Sequence, residues 1–321
     1  MTAYVETYTA VLPSFAEYLW WIIEYDPTSS KWATRLTNAI RYLSESKEIS
    51  DGKSEKFDYD VGWITALHAP EFQAIQRLDV DWASNAVAGD STEYLLGKIE
   101  TTTRTLRVVA ASAYQMGMPA ASVLAMKIAT HFRPRFIMIT GIAAGVRGAS
   151  GYGDILVAEQ SWDYNSGKLC QDGGNKLKFA PDPKSLSLHT TLRERFSALK
   201  ANRKYLDEIK SAWPGSKPTT SLELHLGPIV SGSAVIQSSR LVEIIRAQSR
   251  KVIGIEMETY GIFYAAENAP LPRPLAISIK SVCDFADEDK NDDYQLYAAF
   301  CSANYAYRFL KHELADVMHS L

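Results

Sequence analysis

The chain has 321 residues, 46% of them hydrophobic, and a formal charge of -3 at pH 7. That length can bury one large core or two modest ones, and the charge provides no broad electropositive field, which argues against nucleic acid or an anionic membrane as the main partner. The cysteines Cys170, Cys283 and Cys301 are isolated and form no CxxC pair, which disfavours a disulfide framework and a zinc site. We therefore expect a cytoplasmic protein that acts on a small molecule.

Residues 1–56 differ in texture from the rest of the chain. Amphipathic segments at 14–25 and 31–46 predict a helical hairpin, followed by a polar linker at 50–56. The apolar run at 18–23 is too short to span a bilayer and lacks a basic flank and a cleavage site. Because a hairpin of this length cannot bury all of its aromatic side chains, we expect it to pack on the main body or on another subunit, or to recruit a partner.

Residues 57–321 alternate between apolar strands and helical patterns. Short runs rich in valine and isoleucine predict strands at 59–67, 105–112, 135–140, 154–159, 227–232, 251–257 and 275–282. Helical patterns occur at 70–78, 119–132, 192–210, 239–249, 258–268 and 293–314. This alternation predicts an α/β domain with a central twisted, mixed and mostly parallel β-sheet flanked by helices. The stretch at 168–185, rich in glycine, proline and lysine, predicts a long mobile loop.

A glycine-rich turn follows the predicted strand at 135–140. Gly141 and Gly145 would allow backbone N–H groups to approach an anion or a sugar oxygen. The segment has neither the GxGxxG fingerprint of dinucleotide sites nor the lysine of a P-loop, and glycines after a strand also fit an ordinary turn. Both interpretations stay open at this point.

Two glutamates lie at the end of an apolar segment: Glu256 is within VIGIEM, and Glu258 follows it directly. Glu256 and Glu258 would be costly to bury there without a partner. The vicinal hydroxyl groups of a ribose are such a partner, because one carboxylate can accept both O–H hydrogen bonds. Acidic residues that favour the dipole of a following helix explain the pattern equally well.

Further acidic residues follow two other predicted strands. Asp284 comes after the strand at 275–282, where burial would favour the protonated carboxyl and suit it to donate a proton. Asp287 is a competing candidate, and the run EDKNDD that follows is typical of a solvated loop. Glu71 follows the first strand and fits either helix capping or the activation of a water molecule. The six histidines are scattered, so we expect no metal site.

Five motifs occur in order along residues 59–312: ITAL with EF, TGIAAGV with GYGDILVAE, GPIVSGSAVI, GIEME, and CDFAD. Together they resemble the nucleoside phosphorylase and nucleosidase superfamily, above all hydrolytic members such as methylthioadenosine/S-adenosylhomocysteine nucleosidase. The resemblance implies a nucleoside phosphorylase-like fold, a purine nucleoside or nucleotide as substrate, assembly into a homo-oligomer, and no metal or organic cofactor.

The resemblance also implies a role for each matching residue. Glu71 matches the glutamate that activates water, and Asp284 matches the aspartate that protonates N7 of the purine. Glu258 matches the residue that holds the 2′ and 3′ hydroxyls, with Met257 packed under the ribose. Cleavage of an N-glycosidic bond needs an acid for the base, a positioned nucleophile and polar contacts to the sugar. The three carboxylates supply these roles.

The sequence also departs from the family pattern. The backbone of Val235 and Ile236 matches the segment that reads the base edge, but Val235 stands where methylthioadenosine enzymes have a stacking aromatic. Phe285 or Tyr294 would have to replace it. Ile142 stands where the family often has serine, and the first loop, HAPEF, has no phosphate-binding arginine. Both differences favour water over phosphate as the nucleophile.

A narrower resemblance involves HLGPIVSG, EMETYG and KSVCDFADEDKNDDYQLYAA. These segments resemble nucleosidase domains fused to immune receptors and to bacterial antiphage systems, some of which remove adenine from ATP. In that subgroup an N-terminal segment such as 1–56 couples catalysis to a sensor partner or to assembly. Arg147, Arg240 and Lys280 lie beside the motif strands and could bind phosphates, although each also fits an ordinary structural charge.

The leading hypothesis is therefore a purine nucleosidase that acts on adenine nucleotides or nucleosides, with ATP as the substrate, in antiviral defence. A salvage enzyme that cleaves methylthioadenosine, S-adenosylhomocysteine or adenosine is the first alternative. A nucleotide sensor without catalytic activity is the second.

Overall fold

The computed structural model of the chain describes residues 56–171 and 177–321, together with the single positions 31, 33, 34 and 37. The helical hairpin predicted within residues 1–56 lies outside the described residues, except for those four positions, which are helical. Phe57–Leu321 forms a compact unit of its own. The candidate site lies entirely within this unit.

This unit alternates strands and helices along the chain. The described strands are β1 (Tyr59–Thr65), β2 (Ala83–Asn85), β3 (Tyr94–Glu100), β4 (Thr105–Ser112), β5 (Pro134–Gly145), β6 (Ile155–Asp163), β7 (Gly167–Gln171), β8 (Leu177–Pro181), β9 (Leu186–Ser187), β10 (Leu224–Ser231), β11 (Gly254–Glu256) and β12 (Leu275–Asp284). The described helices are α1 (Gln73–Gln76), which continues a wide helical turn at His68–Phe72, then α2 (Met118–Phe132), α3 (Thr190–Leu199), α4 (Lys204–Ala212), α5 (Ser239–Gln248), α6 (Thr259–Glu267), α7 (Gln295–His312) and α8 (Leu314–His319).

One large mixed sheet organises the unit, in the order β11, β10, β6, β12, β5, β1, β4, β3, β2. Its centre is parallel, from β4 through β1 and β5 to β12, and β12 pairs antiparallel with β6. The long strand β5 also pairs antiparallel with β11 near its end, where Gly145 faces Gly254. The strands β5, β12, β6, β10 and β11 therefore close into a ring.

Helices cover both faces of the sheet, which is why its central strands are apolar on both sides. In β5, Phe136 and Met138 belong to the core that includes α7, whereas Ile137 and Ile139 belong to the core that includes α2 and α6. The arrangement confirms the predicted fold class, a central mixed sheet flanked by helices.

Two sequence predictions differ from the structure. The stretch 168–185 is not a loop throughout, because β7 and β8 pair as an antiparallel ribbon; their side chains are mostly exposed, so the strands leave little apolar pattern in the sequence. The helix predicted at 192–210 is two helices. Between the two helices, Asn202 Oδ1 accepts the backbone N–H of Lys204 at 3.1 Å, which satisfies the donor of the first residue of α4.

Candidate active site

A cavity of about 360 Å³ lies where β5, β11 and β12 meet. The register of the sheet brings the ends of β5 and β12 together, because Lys280 and Asp284 of β12 lie beside Gly141 and Ala144 of β5. The sequence-predicted residues on the cavity wall are Glu71, Ile142, Val235, Ile236, Glu256, Met257, Glu258 and Asp284. Segments that are far apart in the sequence thus contribute acidic side chains to one site.

Glu71 is held in a cradle of backbone N–H groups. Its Oε2 accepts hydrogen bonds from Ala66 N and Leu67 N, both at 2.9 Å, and its Oε1 accepts one from Ile142 N at 2.9 Å. Gly141 makes this approach possible, since a Cβ there would lie 2.1 Å from Glu71 Oε1. Of the two interpretations of Gly141, the structure supports close approach of the backbone, although to a protein carboxylate.

Two opposing effects act on the ionisation of Glu71. Its burial raises its pKa above the ordinary value, while the charge of Lys280 and the three backbone donors act in the opposite direction. Oε1 accepts only one of the described hydrogen bonds, and a carboxylate oxygen has two lone pairs. One lone pair of Oε1 thus remains to accept a proton from a water molecule.

Lys280 is fully buried between two carboxylates. Its Nζ lies 3.1 Å from Glu258 Oε2 and 3.3 Å from Glu256 Oε2. Although burial lowers the pKa of Lys280, the negative charges of Glu258, Glu256 and Glu71 outweigh that effect and raise it. Lys280 therefore stays charged and neutralises part of this acidic group.

The two carboxylates that flank Lys280 have different surroundings. Glu256 accepts hydrogen bonds from Thr259 N and from Ser231 Oγ, the latter at 2.6 Å, so it caps the start of α6. Glu258 accepts the Gly117 N–H at 2.9 Å, and burial raises its pKa to about 7 despite the charge of Lys280. The helix-dipole interpretation thus fits Glu256, while Glu258 keeps lone pairs for a ligand.

Asp284 ends β12 at a β-bulge, where Val282 and Asp284 face the consecutive residues Ala143 and Ala144 of β5. Bulges of this kind re-aim side chains beside functional sites. The carboxylate accepts the Ala286 N–H at 2.8 Å, and its Oδ2 lies 2.5 Å from Lys290 Nζ. Asp284 is therefore buried, on the cavity wall, and fixed in orientation.

The competing acid Asp287 is placed differently. Its Oδ2 accepts a hydrogen bond from Arg147 Nε at 2.6 Å, and Asp287 is not among the residues that line the cavity. Of the two candidate proton donors, the structure thus favours Asp284.

Several predicted ligand residues are not among those that line the cavity. Arg147 pairs with Asp287 and lies 4.9 Å above the ring of Phe285, and Phe285 packs edge-on against Tyr152. Arg240 is exposed on α5, away from the wall. Lys280 is buried behind the wall and bound to protein carboxylates, so it has no access to a phosphate.

The predicted base-stacking aromatics are also directed elsewhere. Tyr294 stacks on Tyr152 with ring centroids 4.1 Å apart, and neither Tyr294 nor Phe285 lines the cavity. The described wall around Val235 and Ile236 contains aliphatic side chains, such as Ile255 and Met116, instead of an aromatic ring.

Sequence reasoning missed three polar residues of the wall: Lys290, Asp292 and Gln295. They follow Asp284 closely in the sequence, within and after the run that we interpreted as a solvated loop. The backbone returns there because Asp287 O accepts the Lys290 N–H at 3.2 Å, which closes a turn. Proximity to a strand-end aspartate was the only available signal.

Among the described residues, no helix is both long and apolar enough to cross a bilayer. In the same part of the chain, no group of three or more His, Cys, Asp or Glu side chains could hold a metal ion.

The fold and the motifs place this chain in a known family. Residues 60–306 match the family model of the phosphorylase superfamily. Since this match spans well over half of the chain, the protein belongs to that superfamily, which confirms the family predicted from the sequence.

Two relatives are similar over most of this chain. The uncharacterized protein y4jS of Sinorhizobium fredii is 29% identical over 95% of this chain and 76% of its own length. The ATP nucleosidase Cap17 of Escherichia coli is 26% identical over 77% of this chain and 52% of its own length. The chain thus corresponds to about half of that nucleosidase.

Solved structures share the fold. A 5′-methylthioadenosine/S-adenosylhomocysteine nucleosidase of Neisseria meningitidis superposes with a TM-score of 0.58 at 20% identity, covering 79% of this chain and 99% of that one. Futalosine hydrolase of Helicobacter pylori gives 0.58 at 18% identity, with 82% and 99% covered. At these identities the likeness establishes the fold alone.

Proposed function

We propose that this protein is a purine nucleosidase that hydrolyses the N-glycosidic bond of ATP, releasing adenine and ribose triphosphate. The observation that carries the proposal is the meeting of Glu71, Glu258 and Asp284 on the wall of one cavity. Cleavage of this bond passes through a sugar cation of oxocarbenium character. The reaction needs a proton donor for the base, a positioned water and polar contacts to the sugar.

Each carboxylate has contacts that suit one of these roles. Glu258 retains lone pairs beyond those used within the protein, so it can accept both O–H hydrogen bonds of the 2′ and 3′ hydroxyls. Glu71 Oε1 accepts one backbone hydrogen bond, and its remaining lone pair can accept a proton from water. Asp284, on the wall at the end of β12, would give its proton to N7 of the base.

The proposed step balances as a hydrolysis. The bond between C1′ and N9 breaks, and its electron pair stays with the base, which takes a proton from Asp284 at N7. The water oxygen bonds to C1′ while Glu71 accepts the proton that the water releases. Exchange with solvent then returns both carboxyl groups to their starting states.

The cavity supports water, not phosphate, as the nucleophile. A phosphate ion would have to sit beside Glu71 and Glu258, where like charges repel it. Ile142 offers no hydroxyl to hold it, and among the described lining residues only Lys290 is cationic. The triphosphate of ATP, in contrast, leaves the sugar at C5′ and can extend away from these carboxylates.

ATP as the substrate is supported by similarity to Cap17 and to a death domain-containing ATP nucleosidase of Amphimedon queenslandica, which is 26% identical over 61% of this chain. From the resemblance to antiphage nucleosidases we further propose a role in antiviral defence. A neutral nucleoside is the alternative substrate. It is supported by the acidic cavity wall and by a 5′-methylthioadenosine/S-adenosylhomocysteine nucleosidase of Buchnera aphidicola, 23% identical over 51% of this chain.

The test is to incubate the purified protein with ATP, AMP, adenosine and methylthioadenosine, each with and without phosphate, and to separate the products by chromatography. Adenine and ribose triphosphate from ATP without phosphate support the proposal. Adenine only from the neutral nucleosides indicates the salvage reaction, and ribose 1-phosphate indicates phosphorolysis. Nucleotide binding without release of base indicates a sensor. The Glu71→Gln variant serves as the control for contaminating activity.

A further inference from the structure

Lys290 is in direct contact with the candidate acid. Its Nζ lies 2.5 Å from Asp284 Oδ2, and both residues line the cavity. Two contacts hold the loop: the Asp287 side chain is bound to Arg147, and the Asp287 carbonyl accepts the Lys290 N–H. The Lys290 side chain is 22% exposed. Because it is a flexible four-carbon chain, its ammonium group can move while the backbone stays in place.

The contact has a chemical consequence for Asp284. Lys290 Nζ lies at hydrogen-bond distance from Oδ2, and Oδ1 accepts the Ala286 N–H at 2.8 Å. Both oxygens of Asp284 are thus occupied by protein donors, and Oδ2 is not open to N7 of a base. Acid catalysis at N7 therefore requires that Lys290 leave the carboxylate.

The charge distribution of the cavity indicates what would draw Lys290 away. The described wall carries five carboxylates, Glu71, Glu256, Glu258, Asp284 and Asp292, and one cation, Lys290. The five carboxylates repel the phosphates of a nucleotide, and of these lining residues only Lys290 attracts them. In an anti nucleotide, the 5′-phosphate lies on the side of the base that carries C8 and N7. A lysine beside the acid for N7 is thus within reach of that phosphate.

We propose that Lys290 determines specificity for nucleotides over nucleosides: the 5′-phosphates of the substrate draw it off Asp284, and this frees Asp284 Oδ2 to act on the base. A neutral nucleoside lacks the anion and leaves Lys290 on the carboxylate. The inference rests on the proposed nucleosidase function and deepens it, because it links the charge of the substrate to the supply of the acid.

The kinetic test compares ATP with adenosine for the wild-type protein and for Lys290→Met, Lys290→Arg and Arg240→Gln. In Lys290→Met, kcat/KM for ATP should fall by about 100-fold through loss of a charged contact, while that for adenosine stays level or rises. Lys290→Arg keeps the charge and should retain the preference for ATP. Arg240→Gln removes an exposed cation outside the cavity wall and should change neither value. A parallel fall for ATP and adenosine in Lys290→Met, or an unchanged ratio, overturns the inference.

A binding test separates this inference from the proposed reaction. Calorimetry would measure ATP and adenosine binding to Glu71→Gln and to Glu71→Gln combined with Lys290→Met. We expect the second substitution to weaken ATP binding by about 10-fold or more and to leave adenosine binding unchanged. Equal ATP affinities overturn the role of Lys290 even if ATP is hydrolysed. If the wild-type protein releases no base, the reaction is wrong, and this measurement still decides whether Lys290 recognises the phosphates.

Discussion

Replacement of Lys280 by methionine tests whether this lysine keeps Glu258, the proposed ribose ligand, ionised. Lys280 is fully buried and is the cation that contacts both Glu256 and Glu258. Methionine has a similar length and no charge, so Lys280→Met removes the charge with little change in volume. Among the described residues, Glu258 then has no cation in contact with it, and its protonated form becomes favoured.

The size of the effect follows from the distance. Nζ of Lys280 lies 3.1 Å from Glu258 Oε2, and at an effective dielectric constant of about 20 two unit charges at that distance interact with about 5 kcal/mol. This energy corresponds to a factor of more than about 10³ in the ionisation equilibrium of Glu258. If water that enters the site screens half of it, the ionised fraction at pH 7 still falls by about 50-fold.

The assay is the pH dependence of kcat/KM for adenine release by the wild-type protein, Lys280→Met and Lys280→Arg. We expect the acidic limb of the profile to move to higher pH in Lys280→Met and to move much less in Lys280→Arg, which keeps the charge. Thermal unfolding of each variant shows whether it is folded at the assay temperature. An acidic limb at the wild-type position in folded Lys280→Met would refute the assignment of Lys280 as the partner that keeps Glu258 ionised.

Three more predictions concern the acidic residues. For the wild-type protein, kcat/KM should fall as the pH drops below about 7, because Glu258, whose pKa is raised to about 7, must be ionised to accept two hydroxyl groups; a profile that is flat from pH 8 to pH 5 contradicts this. Gly141→Ala puts a Cβ 2.1 Å from Glu71 Oε1 and should displace Glu71. We therefore expect kcat for adenine release to fall by about 100-fold or more. Circular dichroism checks that the variant is folded. Asp284→Asn should lower kcat by about 100-fold or more and Asp287→Asn by less than about 10-fold; the reverse order would make Asp287 the acid.

The positions of Glu71 and Asp284 were predictable because β1 and β12 are parallel to β5, and parallel strands place their last residues at a common edge of the sheet. Glu71, Glu258 and Asp284 each follow an apolar strand, and the motif resemblance gave their order and their expected roles. The structure places all three on one wall.

The partners of these carboxylates could not be predicted. The local sequence predicts only that Lys280 lies in a strand and Lys290 in a loop. The register of β12 against β5 brings Lys280 to Glu258. The turn at 287–290 brings Lys290 to Asp284. The contacts of Arg147 with Asp287 and Phe285 could not be predicted for the same reason, since a position beside a strand end does not fix the direction of the side chain.

Some elements of the fold left too little pattern in the sequence. We missed β3 (Tyr94–Glu100), whose sequence YLLGKIE does not alternate regularly and whose burial is mixed. Its pairing with β4 is antiparallel and lies toward one edge of the sheet. The central strands were found because helices on both faces require continuous apolar residues, as in FIMIT of β5.

The most direct test of the proposed reaction is the rate of adenine release from ATP in buffer without phosphate, measured side by side for the wild-type protein and for Glu71→Gln, Glu258→Gln and Asp284→Asn. If the three carboxylates act on one glycosidic bond, the wild type should release adenine and ribose triphosphate in equal amounts. The rate of adenine release should fall by about 100-fold or more in each variant. Wild-type rates in all three variants, or no base released by the wild type from ATP or any other adenine nucleotide or nucleoside, would contradict it.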